Sequence, residues 1–249
     1  MAKVITAAEA AALIPDGATV GAAAMGQAGW PEEIGKSIEQ RFLQEGHPRD
    51  LTFVHGSAIT DWKSKGLTRF GHEGLIKRWI GGHMGSGMRL AELAAQNKLE
   101  AYNLPQGVIV QLWREIAAKR PGLITKVGLG TYVDPRLEGG KMNSVTKEDI
   151  VKLIEFEGEE WLFYKSFPVD VALIRGTYAD ERGNLTMDKE GMLLEALPLA
   201  QATKNSGGIV IAQVERVVKA GTLHPKQVKV PGILVDYLVV ATDPENHYQ

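Results

Sequence analysis

Gln106 and Gly107 follow Leu104-Pro105 in the stretch "NLPQG", which sets a rigid proline before an amide side chain and a glycine. At a strand-to-helix turn, the backbone N–H groups of such a stretch can polarise a carbonyl or hold an anion. A second loop, "VGLGTYVDPR" (127–136), carries Gly128, Gly130 and Thr131 and is long enough to lie over a pocket. The third segment is "DGATVGAAAMGQAGWP", Asp16 to Pro31, a small-residue run around Met25 and Gly26 that leads into a helix. Glycine and alanine there bring the backbone close to a phosphate, a substrate carbonyl or a neighbouring strand. Each loop has an equally ordinary use as a tight turn whose glycines take positive φ.

Other chemistries fail on residue type or spacing. Gly21, Gly26 and Gly29 do not reproduce the G-x-G-x-x-G of a dinucleotide loop, and no Walker lysine pattern occurs. The histidines are His47, His55, His72, His83, His224 and His247; none pair on one helix face and none form H-E-x-x-H. No metal is expected, and each histidine reads as a surface or hydrogen-bonded group. "HGSAI" and "MGSGM" lack the full G-x-S-x-G elbow of a serine hydrolase. The chain has no cysteine, which excludes disulfides, thiolate zinc sites and cysteine nucleophiles.

Positioning the three loops falls to a run of strands and helices. Thr6 and Glu9 form a capping box before a short helix. "ATVGAAA" reads as a buried strand and "WPEEIGKSIEQRFLQE" as a helix, with Pro31 in its first turn and Gly46 as its stop. "LTFVHGS" and "RWIGG" are strand-like, a helix spans about Ser86 to Asn97, and "GVIVQLWREIAAK" turns helical after Gln106-Gly107. The runs "VDVALI", "GGIVIAQV" and "ILVDYLVV" are continuously apolar and rich in β-branched residues, the mark of strands buried on both faces. Such strands alternating with amphipathic helices predict an α/β fold, a mostly parallel sheet flanked by helices on both faces. Ligands on these sheets bind at the carboxyl ends of the strands, which is where all three loops fall.

With 249 residues, 44% hydrophobic and 23% charged, the chain has the make-up of a globular protein, and no linker interrupts it, so residues 1–249 read as one domain. A net charge of -2 offers no attraction for nucleic acid or an anionic membrane. No apolar run approaches the ~18 residues of a membrane span, and "MAKVITAAEAAALI" lacks the core of a signal peptide. The expected location is cytoplasmic.

Several of these segments, in order, resemble the α subunit or N-terminal half of a family I coenzyme A transferase. The family's α signature frames Gly-Gly-Phe between an Asp/Asn-Gly and a late Gly-x-Pro. Asp16-Gly17, Gly29 and Pro31 keep that frame, while Ala23-Ala24-Met25 replaces Gly-Gly-Phe and Gly21 interrupts the apolar triplet. "NLPQG", "TKVGLGTYVDPR", "DVALIRGTYADERGNLT", "NSGGIVIAQVERVVKAGTL" and "VPGILVDYLVV" match in register. Their wording is most similar to the propionate, or short-chain acyl, branch.

The resemblance implies a coenzyme A transferase α domain, a class that also hosts sugar-phosphate isomerases. It implies exchange of coenzyme A between short-chain acyl-CoA and a carboxylate, through a glutamyl-CoA thioester. The nucleophilic glutamate belongs to a β subunit or C-terminal half, so no catalytic nucleophile is expected in this chain. Glu190, in "EGMLLEALP", is the nearest echo of that motif. By the same resemblance Met25, Gly26, Gln106, Gly107, Gly128, Gly130 and Thr131 line the acyl or carboxylate pocket. Coenzyme A enters as acyl-CoA substrate, with no permanently bound cofactor, and the αβ units assemble into a higher oligomer. Two alternatives stay open: an acyl-CoA hydrolase of the same superfamily, and a non-catalytic small-molecule sensor. Trp30, Trp62 and Met25 are the side chains with the size to narrow the pocket.

Overall fold

Short runs that are apolar on both faces have one stable home, the middle of a sheet covered from both sides. The computed structural model, which describes residues 2–85 and 87–247, places them there. In chain order the first elements are β1 (Lys3–Ile5), α1 (Ala7–Ala12), β2 (Thr19–Ala22), α2 (Glu32–Glu45), β3 (Leu51–His55), β4 (Ile76–Gly81), α3 (Met88–Ala95), β5 (Glu100–Asn103) and α4 (Gln106–Ala117). Then follow β6 (Gly122–Thr125), β7 (Val151–Phe156), β8 (Glu159–Lys165), β9 (Val171–Asp180), β10 (Leu185–Thr186), α5 (Ala196–Asn205), β11 (Ile209–Val218), β12 (Val228–Val230) and β13 (Tyr237–Val240).

Among the described residues, one sheet runs β1-β13-β11-β9-β2-β3-β4-β5, with β10 paired antiparallel to β9 and β12. Every neighbouring pair on that path is parallel, so all those strands finish on one edge. β6, β8 and β7 form a separate antiparallel sheet.

The period of two along each strand sorts the side chains into two cores. Val20, Phe53, Trp79, Leu173 and Ile211 pack with α1, α2 and α3. Val54, Ile80, Ala172, Ile174 and Ala212 pack with α4 and α5. Trp79 and Trp113 are fully buried, one on each side, and full burial of a large apolar side chain contributes roughly 1.5–3 kcal/mol. Gly21 in β2 packs directly under α5: a Cβ there would lie 2.6 Å from Leu199 Cδ1.

The parallel sheet with helices on both faces is as expected, and the Thr6–Glu9 capping box is present. Three local readings change. Pro31 is the N-cap of α2 and lies outside its first turn. α4 starts at Gln106, with Pro105 as its cap, so Gln106 and Gly107 are its first helical residues and do not precede it. α3 runs from Met88 to Ala95, and Ser86 lies outside the described residues. β1, β7 and α5 are elements that the sequence pattern does not announce. No described helix is long and apolar enough to cross a membrane, and no described cluster of His, Asp and Glu could hold a metal ion.

Candidate functional site

The carboxyl edge of the sheet gathers the segments that could meet a ligand. After β2 the chain turns through Met25, which exchanges backbone hydrogen bonds with Ala28, at 3.0 Å in both directions. Gly26, at φ +62, donates to Ala58 O at 2.7 Å and accepts from Thr60 N at 3.0 Å, tying this loop to the one after β3. Gly29, at φ +74, sits so tightly that a Cβ would fall 2.6 Å from Ala23 O. Met25 is exposed, whereas the side-chain amide atoms of Gln27 are buried without a partner among the described residues.

A buried ion pair holds this loop from beneath. Arg175, on β9, donates to Glu190 through Nε at 3.0 Å and Nη2 at 2.7 Å. Its Nη1 donates to the carbonyls of Gln27 at 3.1 Å and Trp30 at 3.0 Å. Burial pushes the Glu190 carboxyl upward, against the pull of Arg175. The backbone N–H of Gly29 also pulls the Glu190 carboxyl downward. Both Glu190 oxygens are thus engaged in holding a loop. A bidentate, fully buried carboxylate is a poor nucleophile, so Glu190 serves this chain as a strut.

The neighbouring acids of α2 are structural as well. Glu32 accepts from Trp30 Nε1 at 2.7 Å, Gly66 N at 3.0 Å and Arg69 Nε at 2.6 Å. Trp30 itself is fully buried, edge-on to Phe53 and Phe70, so it packs the core and narrows no pocket. Gln213 lends its side-chain oxygen to Glu33 N at 3.0 Å and Ile34 N at 3.3 Å. It therefore satisfies the orphan donors at the start of α2, which no side chain of its own caps. Glu33 in turn receives Thr242 and Asp243, which docks the segment 242–247 over this end of the sheet. Trp62, at 66% exposure, points to solvent.

On the opposite face of the same edge the starts of α4 and α5 converge. Gly56 follows β3, and Gly82 follows β4. A Cβ on Gly82 would stand 3.2 Å from Gln106 Cβ. One on Gly56 would stand 3.5 Å from Gln106 Cγ and 3.1 Å from Glu195 Oε1. Bare backbone at these two strand ends makes room for the Gln106 amide and the Glu195 carboxyl. Gln106 and Gly107 are exposed, and a Cβ on Gly107 would meet nothing within 4 Å. Glu195 is only 5% exposed, and burial raises its carboxyl to about 7. His55, just before Gly56, is fully buried and held neutral by desolvation, at about 4. Its Nδ1 bonds Ser57 O at 2.5 Å, and its Nε2 accepts from Trp79 Nε1 at 2.7 Å.

The segment 126–143 closes over the end of β5. Asp134, 1% exposed, accepts from Gly130 N at 2.9 Å and from the Arg136 guanidinium, which holds its carboxyl well below the carboxylate range. Thr131 donates to Gly128 O at 2.8 Å. A Cβ on Gly128, at φ +101, would collide with Val133 and the Tyr164 hydroxyl. The Tyr132 hydroxyl, one residue beyond Thr131, donates to the Asn103 side-chain oxygen at 2.6 Å and also to the Asn103 carbonyl.

Of the residues singled out from sequence, Met25–Gly26 and Gln106–Gly107 lie at the ends of strands in the contiguous β2-β3-β4-β5 row. Gly128, Gly130 and Thr131 do not follow a strand of the parallel sheet as expected: they come after β6 of the separate antiparallel sheet, in a turn braced on Tyr164 and Asp134, and their loop reaches the row through Tyr132. Sequence reasoning does not single out Arg175, Gln213 or Glu195. Arg175 is an arginine inside the apolar run "VDVALIRG", and a charge embedded in a buried strand was the available signal.

The model of the coenzyme A transferase family matches residues 4–241. Caffeate CoA-transferase of Acetobacterium woodii is 62% identical over all of this chain and 48% of its own length. One subunit of the probable succinyl-CoA:3-ketoacid coenzyme A transferase of Bacillus subtilis is 30% identical, a match covering 100% of this chain and 94% of that subunit. The crystal structure of the acyl-CoA transferase YdiF apoenzyme from Escherichia coli O157:H7 superposes with a TM-score of 0.96 at 43% identity, over all of this chain and 48% of that one. The thioester complex of the same enzyme with CoA superposes equally well, at 0.96, covering this whole chain and 49% of that one. The chain thus spans about half the length of the caffeate and YdiF enzymes, and nearly all of the separate B. subtilis subunit. With a matching family model over almost its entire length and a common fold, the chain belongs to the coenzyme A transferase family.

Proposed function

We propose that this chain is the acyl-side half of a short-chain acyl-CoA:carboxylate CoA-transferase, and that a glutamate from a second half supplies the nucleophile. The carboxyl edge carries the reading. Its surface at Met25–Gly26 and Gln106–Gly107 is uncharged, with a glycine beside each side chain, on a backbone shared with an enzyme known as a thioester complex with CoA. An uncharged wall suits a short acyl group, and closing it against a second half keeps water from an anhydride.

In this reading the partner's glutamate oxygen attacks the thioester carbonyl, forming an acyl–glutamyl anhydride and releasing CoA thiolate. The thiolate attacks the glutamyl carbonyl, giving a glutamyl-CoA thioester and the free carboxylate of the first acyl group. An incoming carboxylate then reverses both steps. Splitting one exchange into these stages is covalent catalysis, and binding energy from CoA helps to reach the strained intermediates. The N–H groups at the start of α4 face the acyl oxygen and stabilise its developing charge.

Two buried acids of the same carboxyl edge are poor nucleophiles: Glu190 is locked to Arg175, and burial favours the neutral form of the Glu195 carboxyl. The test is an assay of the assembled enzyme with acetyl-CoA, with and without propionate. Acetate release coupled to propionyl-CoA formation is the expected outcome. Hydrolysis that ignores propionate would replace the transferase with an acyl-CoA hydrolase.

A further inference from the structure

Glu195 is a buried acid of this edge to which the transferase reading gives no task. It immediately precedes α5 and faces the first turn of α4, across the bare backbone of Gly56. It is 5% exposed, and the donor that reaches its carboxyl is its own backbone N–H. Among the described residues no other group bonds it. An acid so deeply buried and so poorly partnered is expensive to keep charged, and buried polar groups are normally paired. No described cation offsets it. On α4, Arg114 lies two turns beyond Gln106, on a wall with Leu194 and Leu197. On β3, His55 is neutral and bonds Ser57 and Trp79. On α5, Lys204 sits at the far end on Asp236. Glu190, on the preceding loop, is bound to Arg175.

The space beside this acid is suited to an anion. Gln106 and Gly107 are the first residues of α4, so their N–H groups have no acceptor within the helix, and the space in front of Gly107 is open. Gly56 links the two, since a Cβ there would stand 3.5 Å from Gln106 Cγ and 3.1 Å from Glu195 Oε1, so a carboxylate that reaches from the start of α4 along Gly56 meets the Glu195 carboxyl. Two carboxyl groups in one dry site share a proton, because two negative charges at hydrogen-bond distance repel strongly.

We propose that Glu195 is a catalytic-site acid that donates its O–H to the carboxylate oxygen of the small monocarboxylate substrate held at the start of α4. No covalent bond changes in this step. The proton stays on, or is taken up by, Glu195 as the substrate docks, and the hydrogen bond leaves the other carboxylate oxygen to attack. The inference rests on the transferase reading and names the side chain that recognises its acceptor. The raised carboxyl, at about 7, means that the acid is already neutral in the lower part of the physiological range.

The experiment is calorimetry of acetate binding to the assembled enzyme, repeated in buffers of different ionisation heat from pH 6 to pH 8.5. The wild type is expected to take up close to one proton per bound acetate at the alkaline end, and almost none at pH 6. Glu195→Gln, which keeps the size and an N–H donor, is expected to bind acetate with no proton uptake at any pH. Glu195→Leu is expected to weaken acetate roughly 10- to 100-fold, the usual loss for a hydrogen bond to a charged group. Proton uptake that persists unchanged in Glu195→Gln, or acetate affinity untouched in Glu195→Leu, overturns the inference while leaving the transferase reading intact. Failure of the wild type to exchange CoA between acetyl-CoA and propionate overturns that reading, and this inference with it.

Discussion

Glu190 and Glu195 lie five residues apart on one loop, both buried, and they meet opposite surroundings. Glu190 faces the α2 side of the sheet, where Arg175 grips it and the pair together carries the loop Gln27–Trp30. Glu195 faces the α4 side, where glycine backbone and an amide surround it and no charge answers it. A buried carboxyl is therefore not one thing. Paired to a guanidinium it is a strut, whose loss unseats a loop; unpaired beside open donors it is a proton source. A polar lattice of Trp30, Glu32, Arg69 and Gln213 lies on the Glu190 side, whereas Gly56 and Gly82 leave bare backbone on the Glu195 side.

The strongest way to break this contrast is to remove one member of the paired site. Arg175→Met leaves Glu190 buried and uncompensated, which should cost about 3–5 kcal/mol. Thermal unfolding of the variant should show a large fall in Tm, and Arg175→Met/Glu190→Leu should recover most of it. If the single variant unfolds like the wild type, Glu190 is not a strut.

The unpaired site should respond with the opposite sign. Its folded-state carboxyl lies at about 7 against an ordinary 4.5. Its contribution to stability is complete below pH 4.5 and is lost as pH rises through 7. Glu195→Gln abolishes that loss, so at pH 8 the variant should be more stable than the wild type, by about 3 kcal/mol from the size of the displacement. Denaturant unfolding at pH 5 and pH 8 should show the two proteins converging at the acid end.

Gly21→Ala probes the packing that sets α5, and with it Glu195, against the sheet. Its Cβ would need to displace Leu199 Cδ1 from 2.6 Å, an overpacking that should cost roughly 1–3 kcal/mol. The smallest stability effect is expected for Gly56→Ala, whose Cβ would stand 3.1 Å from Glu195 Oε1. Its readout is the KM for the acceptor carboxylate, which should rise with kcat for hydrolysis-free exchange little altered. A KM unchanged from wild type would place the acceptor away from Glu195.

Much of the sheet was legible because its strands are short, apolar and β-branched, and such runs fit few other places. The three loops were legible for a related reason, since glycine and proline mark turns by their backbone limits. α5 was hidden because Pro198 interrupts its pattern. Pro198 in fact sits in the first turn, where no intrahelical donor is needed. β1 has three residues, too few to show a period. The buried polar groups were out of reach for a deeper reason. Arg175 meets Gln27 across 148 positions and Gln213 meets Glu33 across 180, and neither partnership leaves a local trace. Glu195 stood in the sequence only as one residue of "EGMLLEALP". Its isolation is a property of Gly56 and Gln106, which the fold brings to it.

The central claim is that this half shapes the acyl side while the nucleophile comes from the other half. It is tested most directly by incubating the assembled enzyme with acyl-CoA, reducing with borohydride, and locating the modified glutamate by peptide mass mapping. The account expects every peptide of this chain to be unmodified, with the label on a glutamate outside residues 1–249. A label on Glu190 or Glu195 would contradict it.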